Sequence, residues 1–170
     1  MPTEPTPGRP HMPQGYINPE MVEAMLPWSA ARTRWEHAKV YWICSARPDG
    51  RPHVSPVWGV WVDDALYFDG SPETRRMRNI AANPHIAVHL DSDSAGNEAF
   101  MIEGVARAVQ KPERTLTERI AAAYRAKYAD DGYAPEAEQW DEGGLYSMQP
   151  RVALGWTSFL KDATRWQFDR

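Results

Sequence analysis

The sequence contains one cysteine and no long apolar run, and these two absences exclude several kinds of protein. A single Cys44 cannot form an internal disulfide or a cysteine-only metal site, and its place in the run VYWIC predicts a small buried hydrophobic residue. No segment approaches the roughly 20 apolar residues that a membrane-spanning helix needs, and the first residues lack the basic-then-apolar order of a secretory signal. We therefore expect a cytoplasmic protein.

Basic charge is also scarce, and several familiar motifs are missing. The 170 residues carry 19 Lys and Arg against 23 Asp and Glu, which gives a formal net charge of -4. A general nucleic-acid-binding protein needs a basic surface, so this class is disfavoured. The sequence has no GxSxG elbow, no Walker phosphate loop and no GxGxxG, so hydrolase, nucleotidase and Rossmann interpretations lack motif support.

The first 19 residues differ in composition from the rest of the chain. They contain six prolines, few apolar side chains and no hydrophobic period. Such a segment cannot bury enough surface to offset the entropy of ordering it, so residues 1–19 are predicted to form a flexible N-terminal arm. Residues 20–170 suffice for a single domain with a substantial core.

Strand-like segments dominate this domain. β-Branched and aromatic residues bounded by turn formers predict strands over 39–46, 51–62, 65–69, 85–91, 98–110, 145–148, 151–159 and 164–168. Helical spacing predicts helices over 19–38 with a break at Pro27, over 73–82 and over 111–128. Residues 130–142 are predicted to be an acidic loop that lies in solvent, and the alternative is a loop that covers a pocket. Short connections favour an antiparallel sheet closed into a barrel, so the fold class is mainly β with flanking helices (α+β).

An arginine cluster begins the short helix 73–82. It comprises Thr74, Arg75, Arg76, Arg78 and Asn79. The first turn of a helix favours an anion because its N–H groups are unpaired and its dipole is positive there. Arginine adds bidentate hydrogen bonds to phosphate oxygens. The cluster therefore predicts a phosphate site, and the alternative is a solvated helix face with ordinary surface ion pairs.

The strand before this cluster offers a second kind of surface. In the run Ser55, Pro56, Val57, Trp58 and Gly59, the proline exposes a strand edge and the glycine permits close approach of another group. A flat aromatic ring can lie along such an edge. The alternative for Trp58, as for aromatic residues generally, is packing in the core.

The same stretch resembles a known family. DGRPHVSPVWGVW, then ALYFDG, then TRRMRNIAANPHIAVHL is similar to the pyridoxamine 5′-phosphate oxidase-like family, also called flavin or deazaflavin oxidoreductases of the split β-barrel fold. GLYSMQPRVALGW and TRWQF extend the resemblance to about residues 35–168. It implies an FMN-binding-like split β-barrel as the cofactor-binding domain over 20–170. It also implies a homodimer with FMN or the deazaflavin coenzyme F-420 at the interface.

The resemblance also implies which residues contact the cofactor. The segment 55–58 would line the tricyclic ring, and the two residues that end the third strand would flank the cofactor chain. Thr74, Arg75 and Arg76 match the family's serine-arginine-lysine phosphate clamp, with Arg in place of Lys at the last position. A partner subunit would contribute Trp156 or Arg165. The implied cofactor contacts are Ser55, Pro56, Val57, Trp58, Phe68, Asp69, Thr74, Arg75, Arg76, Arg78, Asn79, Trp156 and Arg165.

The chain departs from the oxidase that names the family. The substrate-phosphate residues of true pyridoxamine phosphate oxidases cannot be matched in VALGWTSFLKDATRWQF, which disfavours vitamin B6 oxidation. The resemblance instead implies an oxidoreductase that transfers hydride to or from a small conjugated substrate, with no catalytic acid–base residue required. The alternatives are a non-catalytic cofactor carrier or sensor, and a haem-binding protein with His53, His85 or His89 as ligand.

Two further groups of residues have competing interpretations. The five histidines lack a zinc-like spacing, apart from the loose pair His85 and His89, so no metal site is predicted. Tyr124 and Tyr128 lie four residues apart on the helix predicted over 111–128. They can face a substrate pocket, but core packing produces the same spacing and is the favoured interpretation.

Overall fold

The structure, a computed structural model, describes residues 4–16, 18–159 and 161–169. The helices are α1 (Trp28–His37), α2 (Arg75–Ala82) and α3 (Arg114–Tyr128). Single turns of 3₁₀ helix lie at Pro19–Met21, Ala129–Asp131 and Ala137–Trp140. The strands are β1 (Thr6–Gly8), β2 (Tyr41–Ala46), β3 (Pro52–Val57), β4 (Gly59–Val62), β5 (Ala65–Asp69), β6 (His85–His89), β7 (Ala99–Ala108), β8 (Leu145–Trp156) and β9 (Thr164–Gln167).

The strands close into an antiparallel barrel. β2 pairs with β3, and β3 passes through the single residue Trp58 into β4. The ladder continues from β4 to β5, β8, β7 and β6, and returns to β2. The far half of β8 pairs with β9, which in turn pairs with β1. Because β8 is shared between the barrel and this side sheet, the fold is the split β-barrel with flanking helices that the sequence predicts.

Two tight turns set the register of the first hairpins. Gly50 has a φ of 83° in the β2–β3 turn, and Asp63 and Asp64 have φ values of 49° and 57° between β4 and β5. The two-residue loop Asp63-Asp64 needs this left-handed geometry, which aspartate tolerates better than most residues, and in the longer β2–β3 turn glycine adopts it. The turns therefore fix which side chains of β3, β4 and β5 face the barrel interior.

The core has two parts, which the alternation of the strands separates. Trp61, Leu66 and Phe68 face the barrel interior and are buried there. Val60 and Tyr67 face outward and pack under α3. The barrel therefore supplies one apolar interior, and α3 covers a second one on its outer wall.

β8 is longer than the sequence suggests, because the strand continues through a β-bulge. The prediction of separate strands over 145–148 and 151–159 is wrong, because β8 runs unbroken from Leu145 to Trp156. Its register with β7 shifts between Glu103 and Gly104, where Gly104 lies opposite Pro150. A bulge tolerates proline, which has no N–H for the ladder.

The segments before and after the barrel also differ from their predictions. The helix predicted over 19–38 exists only as α1, and Met21, Val22 and Met25 before it are exposed. The acidic loop 130–142 is not a solvent loop, because Trp140 is buried against α3. In the N-terminal arm, β1 pairs with β9 and Arg9 donates to the carbonyl oxygen of Ala163 at 3.0 Å.

The prediction that Cys44 is a buried residue is wrong, because its side chain is only half-buried on β2. None of the helices among the described residues combines the length and apolar character needed to span a bilayer.

Candidate functional site

Helix α2 is held against one end of the barrel, with its first turn directed along β3. Thr74 caps the helix, since its hydroxyl accepts a hydrogen bond from the Met77 amide at 3.4 Å. The same hydroxyl donates to the carbonyl oxygen of Ser71 at 2.9 Å. Thr74 therefore fixes where the helix begins, and with it the direction in which the arginines of its first turn leave the backbone.

Arg76 is the arginine that reaches the strand. Its guanidinium donates to the hydroxyl of Ser55 on β3 at 2.8 Å. The chain passes close beside it at Gly70, where an added Cβ would lie 3.4 Å from an Arg76 nitrogen. Burial lowers the pKa of Arg76, and Asp69 and Tyr146 partly oppose this shift. The cation is thus partly desolvated, with a neutral hydroxyl as its hydrogen-bond partner.

Three more side chains join Arg76 and Ser55 in a cationic group that we name the arginine cradle. Its members are Arg47 from the β2–β3 turn, His53 and Ser55 from β3, and Arg75 and Arg76 from α2. Desolvation is the largest effect that lowers the pKa of His53. The positive charges of Arg47, Arg76 and Arg75 lower it further. The cradle therefore collects three permanent positive charges around an imidazole that they keep neutral.

Several polar atoms of the cradle are buried without a partner. They are Nε of Arg47, Nε of Arg76 and Nδ1 of His53. A buried donor without an acceptor costs about 1–3 kcal/mol, and more when it is charged. Donors left unpaired in one place are the arrangement expected around an anion.

The alternative of ordinary surface ion pairs is not what the structure contains. Other arginines do pair with carboxylates, such as Arg34 with Glu98 at 2.7 Å and Arg119 with Asp63 at 2.6 Å. Within the described part of the chain, no ion pair joins Arg47, Arg75, Arg76 or Arg78 to a carboxylate. In a chain of net charge -4, this leaves the cradle as a local excess of positive charge.

Asp69 lies beside the cradle and is held by the segment after α3. Its carboxylate accepts hydrogen bonds from the Tyr133 hydroxyl, from Gln139 at 3.2 Å and from the Trp140 indole at 3.4 Å. It also borders a cleft of about 410 Å³ formed by residues 69–72, Gln139, Trp140 and 142–144. The predicted position of Asp69 next to the cofactor chain is compatible with this cleft.

Trp58 presents an aromatic face at the junction of β3 and β4. Its side chain is 40% exposed, and one face stacks on Tyr128 at 4.9 Å and 14°. Tyr128 also binds the backbone of the junction, accepting from the Gly59 amide at 3.0 Å. The core-packing interpretation of Tyr124 and Tyr128 holds, because both are buried under this junction. Trp58 is therefore held from behind and open in front.

Other predicted contacts lie where one chain offers a cofactor little surface. Val57 and Phe68 are buried in the barrel core, and Phe68 stacks on Tyr146 at 5.9 Å. Asn79 is fully buried, and its amide donates to the Ser45 hydroxyl at 3.1 Å. Side-chain contact of these three residues with a bound ring or chain is not available in this arrangement. Their positions in the sequence are explained by packing.

The remaining predicted residues divide between exposed and remote positions. Arg75 is an exposed member of the cradle, and Pro56 and Arg78 are exposed next to it in sequence. Trp156 and Arg165 are half-buried, at the opposite end of β8 from the Tyr146 position that pairs with β5. Ten residues of strand separate these ends by about 30 Å. One chain thus does not bring Trp156 or Arg165 to the cradle.

The histidines do not form a metal site in the described residues. No group of three or more His, Cys, Asp or Glu side chains there is arranged to hold a metal ion. His89 stacks on Trp42 at 6.1 Å and places Nδ1 3.0 Å from the Leu90 carbonyl. Since that carbonyl can only accept, Nδ1 carries the proton and Nε2 is the free lone pair in the neutral ring.

Comparison with known proteins assigns this geometry to a family. The sequence profile of the Pyridoxamine 5′-phosphate oxidase family matches residues 28–155, which is most of the chain. The chain belongs to this family. The match runs from the start of α1 to the residue before the end of β8, and it includes the β2–β3 turn, β3 and α2, which form the cradle. No curated protein matches the chain at a significant level.

Solved structures with the same fold bind different cofactors. An F-420 reductase is 21% identical, with 72% of this chain and 94% of that chain covered and a TM-score of 0.55. An FAD-binding protein from Mesorhizobium loti is 18% identical, with coverages of 85% and 96% and a TM-score of 0.59. The haem storage protein HutZ from Vibrio cholerae is 20% identical, with coverages of 75% and 91% and a TM-score of 0.56. At these identities the likeness establishes the fold alone.

Sequence reasoning missed three parts of the site. Arg47 lies outside every motif, yet pairing across the Pro48-Asp49-Gly50 turn places it opposite Arg51, so the hairpin register was the available signal. His53 was weighed only as a haem ligand. The bracing of Asp69 by Tyr133 and Gln139 had no sequence signal, because those residues lie more than sixty positions away.

Proposed function

We propose that the protein is a flavin-type oxidoreductase that binds FMN or coenzyme F-420 with its phosphate in the arginine cradle. The observation that carries the proposal is the group of unpartnered buried nitrogens on Arg47, His53 and Arg76, of which the two arginine nitrogens are permanent donors. A phosphate oxygen accepts hydrogen bonds from such donors and neutralises their charge. These residues therefore fit the phosphate that both cofactors carry.

The remaining parts of the cofactor would lie on surfaces next to the cradle. The tricyclic ring would lie along β3, near the exposed face of Trp58. The connecting chain would pass Asp69, whose carboxylate is already oriented by Tyr133, Gln139 and Trp140. When bound, the cofactor supplies hydride transfer to or from a small conjugated substrate. The protein binds and orients it, and backbone groups of β3 set the polarity around the ring.

A second subunit would complete this site. Trp156, which ends β8, and Arg165, on β9, lie at the opposite end of β8 from Tyr146, the residue that interacts electrostatically with Arg76 of the cradle. We therefore propose a homodimer with the cofactor at the interface, in which these two residues come from the partner subunit. One chain would supply the phosphate site and the other would cover the ring.

A titration tests the proposal directly. Purified protein is titrated with FMN and with coenzyme F-420 while cofactor fluorescence is followed. Arg76→Ala is expected to weaken binding about 10- to 100-fold, because a charged hydrogen bond contributes about 1.5–3 kcal/mol. Arg119→Ala is the matched control, since Arg119 is an exposed arginine that already has the partner Asp63. Equal affinity in the wild type and Arg76→Ala would contradict the proposed phosphate site.

Haem binding is a second candidate, and His89 is the observation that favours it. Its Nε2 is the free lone pair, and the ring borders a groove of about 530 Å³ lined by Trp42, Val54, Phe100 and Met101. Donation from Nδ1 to a carbonyl is the arrangement that orients histidine ligands in haem proteins. Addition of haem separates the two candidates, because a Soret band lost in His89→Ala would support haem. A cofactor carrier without turnover would bind flavin yet reduce no substrate.

A further inference from the structure

We infer that His53 is a proton-linked anion-binding residue, which contacts the cofactor phosphate together with Arg47 and Arg76 and takes up a proton as the phosphate binds. This inference rests on the proposed function, since it concerns the same cradle. It adds a role for one residue and a dependence of cofactor loading on pH, which the family resemblance does not assign.

His53 lies on β3, between β2 and α2. It lies opposite Ser45 of β2, and two residues from Ser55, which accepts from Arg76. Alternate residues of a strand share a face, so His53 and Ser55 point to the same side. Ser55 contacts α2, and His53 is therefore directed towards the same helix.

The groups that face the imidazole of His53 are cationic or neutral. Arg47 acts on it from the β2–β3 turn, and Arg75 and Arg76 act on it from α2. Ser45 faces it from β2, and the hydroxyl of Ser45 is already bound by the buried amide of Asn79. In the part of the chain that the structure describes, no carboxylate contributes to its titration. The imidazole is thus surrounded by cations and neutral groups.

One nitrogen of the His53 ring has no hydrogen-bond partner. Nδ1 of His53 is buried without a hydrogen bond, as are Nε of Arg47 and Nε of Arg76. An imidazole held neutral by neighbouring cations has one N–H donor, and in its charged form it has two. An anion that accepts from Nδ1 stabilises the charged ring more than the neutral one, so an anion arriving at the cradle favours protonation.

The sign of the linkage follows from these charges. Without an anion, burial and the three arginines lower the pKa of His53 below its ordinary 6.5, so it is neutral at pH 7. A bound phosphate cancels the positive field and accepts a hydrogen bond, and both effects raise the pKa of the imidazole. Binding therefore takes up a proton, and affinity rises as pH falls towards neutrality, by at most tenfold per pH unit for one linked proton.

Calorimetry measures this uptake without any turnover. FMN and coenzyme F-420 are each titrated into the protein at pH 7 in two buffers that differ in heat of ionisation. The slope of the observed enthalpy against that heat gives the number of protons bound. His53→Asn is the comparison variant, because its amide can occupy the Nδ1 position and does not titrate. Any proton exchange of the cofactor phosphate itself is common to both proteins and cancels in their difference.

The result expected is an uptake of up to one proton in the wild type that His53→Asn lacks. The imidazole resonance missing from the NMR spectrum of His53→Asn identifies His53, and its pKa is expected to rise when cofactor is added. Tight binding with the same proton count in both proteins would overturn the inference and leave the proposed function standing. Failure of both cofactors to bind would overturn both, and unchanged thermal unfolding of His53→Asn guards against misfolding.

Discussion

At the scale of single residues, the cradle brings together arginines that have no ion-pair partner among the described residues. Arg34 and Arg119 have carboxylate partners at hydrogen-bond distance, whereas Arg47 and Arg76 have none among the described residues. Charges that repel one another and lack partners lower the stability of the folded state. Such arrangements persist where a ligand supplies the missing charge.

Replacing Arg47 by methionine is expected to separate binding from stability. Arg47→Met removes one of three mutually repelling cations, so the free energy of unfolding without ligand is expected to stay the same or to rise. Affinity for the phosphate-bearing cofactor is expected to fall about 10-fold or more, because a charged hydrogen bond is lost. Urea unfolding and fluorescence titration measure the two quantities. A less stable variant with unchanged affinity would mean that Arg47 has a structural role.

Lys127 gives a second prediction at this scale, on pH dependence. Its ammonium donates to the carbonyl of Ala38 at 2.9 Å and to the Tyr41 hydroxyl at 3.0 Å, and burial lowers its pKa from 10.5 to about 8. Between these two pH values the unfolded chain binds more protons than the folded one, so the stability contributed by Lys127 rises with pH. The unfolding free energy of the wild type minus that of Lys127→Met should therefore increase from pH 8 to pH 10. A constant difference over that range would argue against the lowered pKa.

At the scale of elements, the junction of β3 and β4 decides how the site is presented. The strand is interrupted at Trp58, and α3 satisfies the backbone there: Tyr128 binds Gly59, and Tyr124 donates to the Trp58 carbonyl at 3.4 Å. The interruption turns the Trp58 side chain outward onto Tyr128. Helix α3 thus supports the surface on which the cofactor ring is proposed to lie.

The bulge between β7 and β8 provides a test of how the barrel closes. A Cβ added at Gly104 would lie 2.4 Å from the Gln149 carbonyl oxygen, which belongs to the backbone and cannot move aside. Gly104→Ala is expected to cost about 1–3 kcal/mol of unfolding free energy. Gly8→Ala is the matched control, because no atom lies within 4 Å of the added carbon. Equal melting temperatures for the two variants would contradict the close approach of β7 and β8.

Element positions were largely predictable from the sequence, and the exceptions have physical causes. The period-two pattern and the turns at Gly50 and Asp63 located β2 to β5 to within a few residues. The helix expected over 19–26 failed because its apolar residues find no surface to cover. The loop 130–142 was misassigned because Trp140 is fixed by tertiary contacts, with Tyr124 of α3 and with Asp69, which lies 71 positions away. Local pattern specified strands well, and long-range packing specified the rest.

At the scale of the whole molecule, the family and the fold are established, and the assembly is a proposal. The sequence resemblance located the arginines of α2 and Ser55 of β3, but Arg47 and His53 emerged as members of the cradle only from the barrel's register. In one chain, Trp156 and Arg165 do not reach the cradle, so they cannot contact a cofactor bound there. They would contact it if a second chain placed them over the first chain's cradle.

Arg165→Ala therefore tests the dimer. The wild type is expected to have twice the 19.3 kDa chain mass by light scattering. If Arg165 of each chain reaches the cofactor held by the other, Arg165→Ala weakens cofactor binding several-fold and leaves the mass unchanged. A monomeric wild type that binds cofactor fully would remove the partner subunit from the site. Unchanged affinity in a dimeric Arg165→Ala would remove this residue alone.

The central claim is that the arginine cradle binds a phosphate, and the most direct measurement compares each cofactor with its phosphate-free form. Dissociation constants are measured for FMN against riboflavin, and for coenzyme F-420 against its phosphate-free ribityl precursor. The account predicts that one phosphate-bearing cofactor binds at least about tenfold more tightly than its counterpart. It also predicts that this preference disappears in Arg76→Ala. Equal affinity for the forms with and without phosphate would contradict it.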